Sequence, residues 1–191
     1  MTDLPEKPWF PLRTERLLLR EAREEDFDDI HEYAIDPEVV RYMDWGPNTP
    51  EVTREVLDRW FAEQQTWPRG HVNLLVELLE EKKVIGSVRL SLQDEGNADL
   101  GYSYNSAYWR KGYGYEAAEA LVRVAFETLK LHRVWATCDV RNRGSFGIME
   151  KLGMRREGTL RKNLLVRDGW RDTHVYALLD EEWAARRPKE A

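Results

Sequence analysis

A turn that contains two glycines is the stretch of this sequence best suited to bind an anion. It reads Tyr108-Trp109-Arg110-Lys111-Gly112-Tyr113-Gly114-Tyr115-Glu116-Ala117 and precedes the longest segment with helical apolar periodicity. Gly112 and Gly114 leave space for a ligand against the backbone, and the free N–H groups at a helix N-terminus attract phosphate. Arg110 and Lys111 add positive charge. The turn predicts a phosphate site, although a Gly-x-Gly pair alone also occurs at a simple tight entry to a helix.

The histidines and the cysteine are poor candidates for reactive groups. His31, His71, His132 and His174 are scattered without the spacing of metal ligands, so no metal site is expected. Cys138 lies on the apolar face of a predicted strand, where a thiol is expected to be packed in the core and not to act as a nucleophile. A single cysteine also excludes an intrachain disulfide and favours a reducing, cytoplasmic environment.

Composition limits the classes of partner. The chain has 191 residues, 42% of them hydrophobic, which predicts one globular domain over residues 1–191 with an ordered core from about 12 to about 182. The net charge of −6 argues against direct nucleic-acid binding and suits a cationic substrate. The N-terminus is unlike a signal peptide, and no apolar run approaches the roughly 20 residues of a membrane span. A homodimer is left open.

Two helices are predicted before the main sheet, on either side of a loop rich in aromatic residues. A strand over residues 16–20 leads into a helix that starts near Glu24 and is expected to end at Pro37. Thr49 caps the second helix. The loop between them runs through Tyr42, Met43, Trp45, Gly46 and Pro47, and it is predicted to be either a packed Ω-type loop or a lid that faces the substrate. The inner face of the second helix is predicted to comprise Val52, Val56, Leu57, Trp60 and Phe61.

The remaining pattern predicts a sheet interrupted by the glycine turn. Strands over 71–79, over 83–92 and from Asp99 onward form an antiparallel meander, which the turn and its helix follow. The next strand, 133–140, returns through a helical crossover, so it is expected to pair in parallel with the Asp99 strand. After a short helix that begins at Asn142, a hairpin around Asp168-Gly169 is predicted, and the charged tail from Glu181 is expected to fray.

In this combination and order, the motifs resemble the GCN5-related N-acetyltransferase (GNAT) superfamily, and within it the RimJ/RimL-like branch of ribosomal-protein N-acetyltransferases. The resemblance covers nearly the whole chain. It rests on Leu100-Gly101-Tyr102, the glycine turn, Asn142-Arg143-Gly144-Ser145 with Glu150-Lys151-Leu152-Gly153-Met154, and the C-terminal hairpin with Asp172 and Tyr176. Trp109, before the first glycine, is common in that branch. The implied fold is α/β (mixed α+β), with about seven mostly antiparallel strands, about four flanking helices and a parallel pair splayed into a V.

The resemblance implies an enzyme that uses acetyl-CoA as co-substrate and needs no metal. In the family, the pantetheine arm of CoA enters the V as an added strand, and the pyrophosphate lies on the helix N-terminus. The residues implied to bind the pyrophosphate are Arg110, Lys111, Gly112, Tyr113, Gly114 and Tyr115. Main-chain groups near Tyr104 and Asn105 are implied to pair with the arm. Asn142 and Ser145 match positions that face the arm and the CoA thiol, while each also suits the start of a helix.

The chemistry requires a deprotonated amine, a stabilised transition state and a proton for the departing thiolate. Asp99 is the first candidate for general base, through water, because it matches an acidic position of the branch and is expected at the open end of the V. Glu77 is the second candidate. Some RimL-like enzymes use a glutamate where this chain has Leu164, so that mechanism does not carry over. Ser145 is the candidate that protonates the thiolate.

The acceptor is harder to infer than the donor. Tyr42, Trp45, Trp109 and Trp170 are candidates for the walls of the acceptor pocket, although aromatic side chains more often belong to the core. The branch implies a protein or peptide N-terminal amine. A small amine, such as a polyamine, an aminoglycoside or an amino acid, suits the net charge equally well. A non-catalytic acyl-CoA-binding regulator is the third hypothesis, which the leucine at position 164 favours.

Overall fold

The computed structural model describes residues 8–186, which form a mixed sheet of eight strands with helices on both faces. The spatial order of the strands is β1-β2-β3-β4-β5-β6-β8-β7. Their bounds are Leu12–Arg13 (β1), Leu17–Arg20 (β2), His71–Leu78 (β3), Lys83–Leu92 (β4), Asn97–Tyr104 (β5), Arg133–Asp139 (β6), Arg155–Val166 (β7) and Gly169–Leu179 (β8). The predicted meander is confirmed, and the short β1 is the strand that the sequence pattern does not reveal.

Six helices accompany this sheet in the part of the chain that the structure describes. Their bounds are Phe27–Ala34 (α1), Pro37–Val40 (α2), Pro50–Gln64 (α3), Tyr113–Arg123 (α4), Arg143–Lys151 (α5) and Asp180–Ala185 (α6). Thr49 caps α3 by accepting a hydrogen bond from the backbone N–H of Val52 at 3.4 Å. A π-helical turn, Val124–Thr128, extends α4.

The strands β5 and β6 are the one parallel pair of the described sheet, and they separate after a short contact. Asn97, Ala98 and Asp99 pair with Arg133, Val134 and Trp135. Beyond Asp99, β5 stays paired with β4 up to Tyr104, while β6 stays paired with β8 up to Asp139. The edges that face one another across this gap therefore have free backbone donors and acceptors. This arrangement confirms the predicted crossover and the splayed pair.

Apolar side chains pack on both faces of the sheet. The larger core lies between the sheet and α4, where Leu121 and Val122 contact the strands, and α5 adds Met149 and Leu152. The smaller core lies on the opposite face, between α1, α2 and α3, and includes Tyr33 and Leu57. The gap between β5 and β6 thus opens on both layers of helices.

Three local predictions are corrected. Pro37 does not simply end a helix but begins α2, since Asp36 caps it by accepting from the N–H of Glu38 at 2.9 Å. Val52 is exposed on α3, and Thr53 is buried in its place. The tail from Glu181 does not fray at once, because α6 carries Trp183, which is only 8% exposed and stacks on Phe126. No helix among residues 8–186 is long and apolar enough to cross a membrane.

Candidate functional site

The gap between β5 and β6 leads into an open cavity of about 690 Å³, here called the glycine-turn cavity. Its walls come from β5, from the glycine turn and from the start of α5. Residues of the predicted site that line it are Tyr42, Tyr104, Trp109, Arg110, Gly112, Tyr113, Gly114, Tyr115, Asn142 and Ser145. The structure therefore brings most of the predicted cofactor-binding residues to one cavity.

The backbone of the glycine turn is held in a conformation that favours glycine. Gly112 precedes the first residue of α4 with φ of +87°, in the left-handed region. Gly114 is needed for another reason: a Cβ there would lie 2.8 Å from Cδ1 of Ile148 and 3.1 Å from Cε2 of Tyr104. The N–H groups of this first helical turn have no acceptor within the helix. The turn thus presents backbone donors and the positive end of the α4 dipole to the cavity.

Glu116 ties this turn to the first strands of the sheet. Its carboxylate accepts from Thr14 Oγ1 at 2.6 Å, from the backbone N of Arg16 at 2.9 Å and from Arg16 Nε at 2.7 Å. Arg16 also donates to the carbonyl of Lys111 at 3.0 Å and lies over the Tyr113 ring at 4.5 Å. Burial alone would raise the pKa of Glu116, but these hydrogen bonds outweigh it, so the pKa is lowered. The carboxylate therefore stays charged and holds the turn in place.

Asn142 and Ser145 begin α5 beside the gap. Asn142 Oδ1 accepts from the backbone N of Ser145 at 3.1 Å, so Asn142 is a helix cap while its side chain also lines the cavity. The hydroxyl of Tyr102, which projects from β5, lies 2.9 Å from the carbonyl oxygen and 3.2 Å from Oγ of Ser145. These contacts connect β5 to α5 across the open part of the V.

A second cavity, of about 730 Å³, opens on the α3 face of the sheet and is called here the aromatic-loop cavity. Its walls include Trp45 of the aromatic loop, Trp60 of α3 and Arg171 of β8. It shares six lining residues with the glycine-turn cavity, namely Tyr42, Met43, Tyr102, Ser103, Asn142 and Ser145. The two cavities therefore meet where Tyr102 and Ser145 touch.

The hairpin of β7 and β8 is bonded to the aromatic loop, defined as residues 41–49. Arg171 Nη1 donates to the carbonyl of Tyr42 at 3.0 Å. Arg167 donates to the carbonyl of Val40 at 2.6 Å and to that of Gly46. Because guanidinium groups satisfy these loop carbonyls, the loop is fixed as one wall of the aromatic-loop cavity. The loop is therefore packed against the hairpin and also lines a cavity, while its role as a lid that faces the substrate stays a prediction.

Several predicted site residues lie away from both cavities. Asn105 faces α1, where its amide donates to Glu32 at 2.9 Å, and its backbone N–H donates to the carbonyl of Ile85 at 2.9 Å. The ammonium of Lys111 lies over the Tyr108 ring and lines neither cavity. Trp170, predicted as an acceptor wall, is 62% exposed on the hairpin and also lines neither.

Trp109, also predicted to contact the acceptor, lines the glycine-turn cavity instead of the aromatic-loop cavity. Its indole Nε1 donates to the carbonyl of Tyr104 at 2.7 Å. That bond uses a main-chain acceptor at the end of β5 that the pantetheine arm was expected to reach. A pantetheine amide that reached this oxygen would share it with the Trp109 indole.

The expected position of Asp99 is wrong. Asp99 pairs with Trp135 at the closed end of the V, because β5 and β6 are still joined there. Its carboxylate forms an ion pair with Arg89 at 2.5 Å, and only Arg89 lines the aromatic-loop cavity. Glu77, the second candidate base, is bonded to the buried Arg20 at 2.5 Å on β2 and does not reach either cavity.

Where the two cavities meet, burial keeps a phenol and a thiol protonated, whereas hydrogen bonds keep a carboxylate charged. Burial raises the pKa of the Tyr102 phenol and that of the Cys138 thiol, the latter to about 11, so both stay protonated at neutral pH. Burial would also raise the pKa of Asp139, but hydrogen bonds from Arg141 at 2.9 and 2.7 Å lower it overall. Residues 8–186 contain no group of three His, Cys, Asp or Glu arranged to hold a metal.

A parallel strand pair that splays beside a glycine-turn helix N-terminus defines a GNAT-type acyltransferase fold. Residues 16–155 match the Acetyltransferase (GNAT) domain family, and the chain belongs to that family. It is an N-acetyltransferase, and its eight-stranded sheet has the GNAT arrangement.

The relatives agree with this assignment. The chain is 33% identical over 174 residues to an uncharacterized N-acetyltransferase, YnaD, of Bacillus subtilis (strain 168), covering 90% of this chain and 98% of that protein. It is 32% identical over 111 residues to the [ribosomal protein uS5]-alanine N-acetyltransferase of Escherichia coli (strain K12), covering 56% and 57%. The structure of a GNAT-family acetyltransferase from Bacillus anthracis superimposes with a TM-score of 0.79 at 34% identity, covering 89% and 98%.

Sequence reasoning missed two residues of this site. The sequence pattern places Tyr102 on one face of its strand with Leu100 and Tyr104, and within a family motif, but does not single it out as a site residue. Arg16 gave no signal, because its partner Glu116 lies a hundred positions further along the chain. Only the fold brings such distant residues together.

Proposed function

We propose that the protein transfers the acetyl group of acetyl-CoA to a primary amine, with the two substrates in separate cavities that meet at Ser145. The observation that carries this proposal is the gap between β5 and β6, which ends at the glycine turn on one side and opens into the aromatic-loop cavity on the other. When bound, acetyl-CoA supplies an activated thioester carbonyl.

The residues present fit a CoA molecule. Gly112 and Gly114 present backbone where side chains would intrude, and the adjacent N–H groups suit a pyrophosphate. The free edges of β5 and β6 suit the amides of a pantetheine arm, as in the addition of a strand to a sheet. Arg110 lines the same cavity and adds positive charge for the phosphates.

The position of Ser145 supports a catalytic role. Its hydroxyl lies where the two cavities meet, so it can give a proton at Oγ to the sulfur that leaves. We do not carry Asp99 forward as the general base, because its carboxylate is paired with Arg89. Deprotonation of the acceptor amine is assigned to water in the aromatic-loop cavity.

For the acceptor we propose a protein or peptide N-terminal amine. A relative that matches more than half of this chain is named for acetylating the alanine of a ribosomal protein. The aromatic-loop cavity is lined by exposed residues at its mouth, with Trp45 36% exposed, so an extended chain has room to enter. A small amine is the second candidate, since about 730 Å³ also suits a ligand of that class.

A screen of acceptors tests the proposal. Purified protein and acetyl-CoA are incubated with N-terminal peptides beginning with alanine or serine, with spermidine, with an aminoglycoside and with free amino acids, and the release of CoA thiol is recorded. Turnover with a peptide and not with spermidine supports the protein acceptor, whereas the reverse supports the small amine. CoA binding measured by calorimetry without turnover on any amine would contradict acetyl transfer to the classes proposed.

A further inference from the structure

A tyrosine on β5 contacts the first turn of α5 at the point where the two cavities meet. Tyr102 lines both cavities, and its hydroxyl is within hydrogen-bond distance of two atoms of Ser145. A phenol has one hydrogen to donate, and a carbonyl oxygen can only accept. The phenol hydrogen can be shared between the carbonyl oxygen at 2.9 Å and Oγ at 3.2 Å, and the Ser145 hydroxyl then keeps its own hydrogen for another acceptor.

We infer that Tyr102 is a positioning residue for the acetyl transfer, because it holds the Ser145 hydroxyl beside the place where the CoA sulfur must lie. This inference rests on the proposed function, in which Ser145 protonates the leaving sulfur. A serine hydroxyl rotates freely when it has no partner, and holding it in place removes that freedom before the reaction begins.

The proton balance is complete without a further reactant. A nitrogen–carbon bond forms, a carbon–sulfur bond breaks, and one proton moves from the acceptor nitrogen to the sulfur. Ser145 gives its hydroxyl proton to the sulfur and regains one from the water that deprotonates the amine. Tyr102 keeps its proton in this scheme, because the phenol hydrogen is held by the two oxygen atoms of Ser145.

A thiol, a second tyrosine and a paired carboxylate surround the two residues. Cys138 on β6 approaches Ser145 as a buried thiol whose pKa is about 11. On β5 itself, the ring of Tyr104 lies 6.1 Å from that of Tyr102, and its own hydroxyl donates to the carbonyl of Gly114 at 3.4 Å. The carboxylate of Asp139, which follows Cys138 on β6, is held by Arg141.

Tyr102 makes two separate contacts with Ser145, so an experiment can distinguish positioning of the hydroxyl from anchoring of the α5 backbone. The bond from Tyr102 to the carbonyl of Ser145 fixes the backbone of α5, and it survives in Ser145→Ala. The contact with the hydroxyl does not survive that change. A purely anchoring tyrosine would therefore matter equally with serine or alanine at position 145, whereas a positioning tyrosine would matter only with serine.

The test is a cycle of the variants Tyr102→Phe, Ser145→Ala and the double variant. We expect Tyr102→Phe to lower kcat about tenfold, with KM for acetyl-CoA within about twofold of the wild type. In the Ser145→Ala background the same change should alter kcat by less than about twofold. A second readout needs no turnover: the pKa of the thiol of bound CoA, followed by ultraviolet absorbance of the thiolate, should be higher in Tyr102→Phe than in the wild type.

Tyr176→Phe is the matched control. Tyr176 lies on β8 and lines neither cavity. Its hydroxyl donates to Glu150 of α5 at 2.9 Å, so this variant also removes a hydrogen bond from a tyrosine to α5. Its kcat and the pKa of the bound CoA thiol should match those of the wild type within about twofold.

Two results would overturn the inference. One is an equal loss of kcat from Tyr102→Phe in both backgrounds, which would make the tyrosine an anchor of α5. The other is a normal kcat in Ser145→Ala, which would remove the hydroxyl from the reaction while acetyl transfer itself stands. Failure of the proposed function gives a different signature, since wild-type protein would then bind no CoA in calorimetry or transfer acetyl to no amine.

Discussion

The two cavities are built from different parts of the chain. The glycine-turn cavity offers a ligand the backbone of a helix N-terminus, the edge of β5 and two glycines, beside side chains such as Trp109 and Arg110. The aromatic-loop cavity is formed by side chains from the loop, α3 and the hairpin, which are joined by guanidinium bonds to loop carbonyls. A backbone site binds groups that many ligands share, such as phosphates and amides, whereas a side-chain site can change its selectivity one residue at a time.

The largest effect is expected from adding a side chain inside the backbone site. Gly114→Val places a Cβ 2.8 Å from Cδ1 of Ile148 and 3.1 Å from Cε2 of Tyr104, so these side chains or the start of α4 must move. We expect CoA affinity to fall at least about 100-fold, about 2.7 kcal/mol, as measured by calorimetry. Gly158→Ala is the control, since an added Cβ there meets nothing within 4 Å. Unchanged affinity in the valine variant would show that the glycine turn is not the CoA site.

A smaller loss of CoA affinity is expected when the turn keeps its glycines but loses the hydrogen bonds that connect it to the sheet. Glu116→Gln removes the charge that accepts from Thr14 and Arg16, and CoA affinity should fall about tenfold, about 1.4 kcal/mol.

The same residue predicts a pH dependence. Because the folded-state pKa of Glu116 is lowered from 4.5, its contribution to stability is complete above that pH and is lost as the pH falls through the lowered value. Melting temperatures of the wild type and the glutamine variant should therefore converge in acid and differ at neutral pH. Parallel curves from neutral pH to strong acid would contradict the role given to this carboxylate.

Substitutions in the aromatic-loop cavity are expected to change acceptor binding alone. Trp45 lines the aromatic-loop cavity and not the glycine-turn cavity, so Trp45→Ala removes an aromatic wall from the first cavity alone. KM for the acceptor should rise about fivefold, about 1 kcal/mol, while CoA affinity stays within about twofold. Trp170→Ala is the control, because that indole is exposed and lines neither cavity. An equal rise in both variants would mean that the acceptor extends onto the hairpin.

The smallest effect is expected at Asp99. Its carboxylate pairs with Arg89 at the closed end of the V, and both side chains are partly exposed to solvent. Asp99→Asn should lower kcat by less than about threefold without altering its pH dependence, because exposed ion pairs contribute little. A large loss that is greatest at low pH would restore Asp99 as the general base.

The contrast between the cavities also explains what the sequence could predict. The glycine turn, the Asn142 cap and the order of the strands leave local signatures, because they depend on backbone conformation and periodicity. Positions that depend on register were not accessible: Asp99 fell at the closed end of the V, and Asn105 turned toward Glu32. The point at which β5 and β6 separate is set by packing of distant residues, and no local motif encodes it.

The short contact between β5 and β6 has a mechanical consequence. Only three residue pairs join the five-strand half of the sheet to the three-strand half, so a short strand contact lies in the interior of the sheet. A ligand whose amides pair with both free edges would become a removable ninth strand that completes the sheet. Ligand binding would then make the protein more rigid, so the ligand-bound protein should resist proteolysis and pulling forces across the β5–β6 contact. Release of the product would restore the weaker connection between the two halves of the sheet.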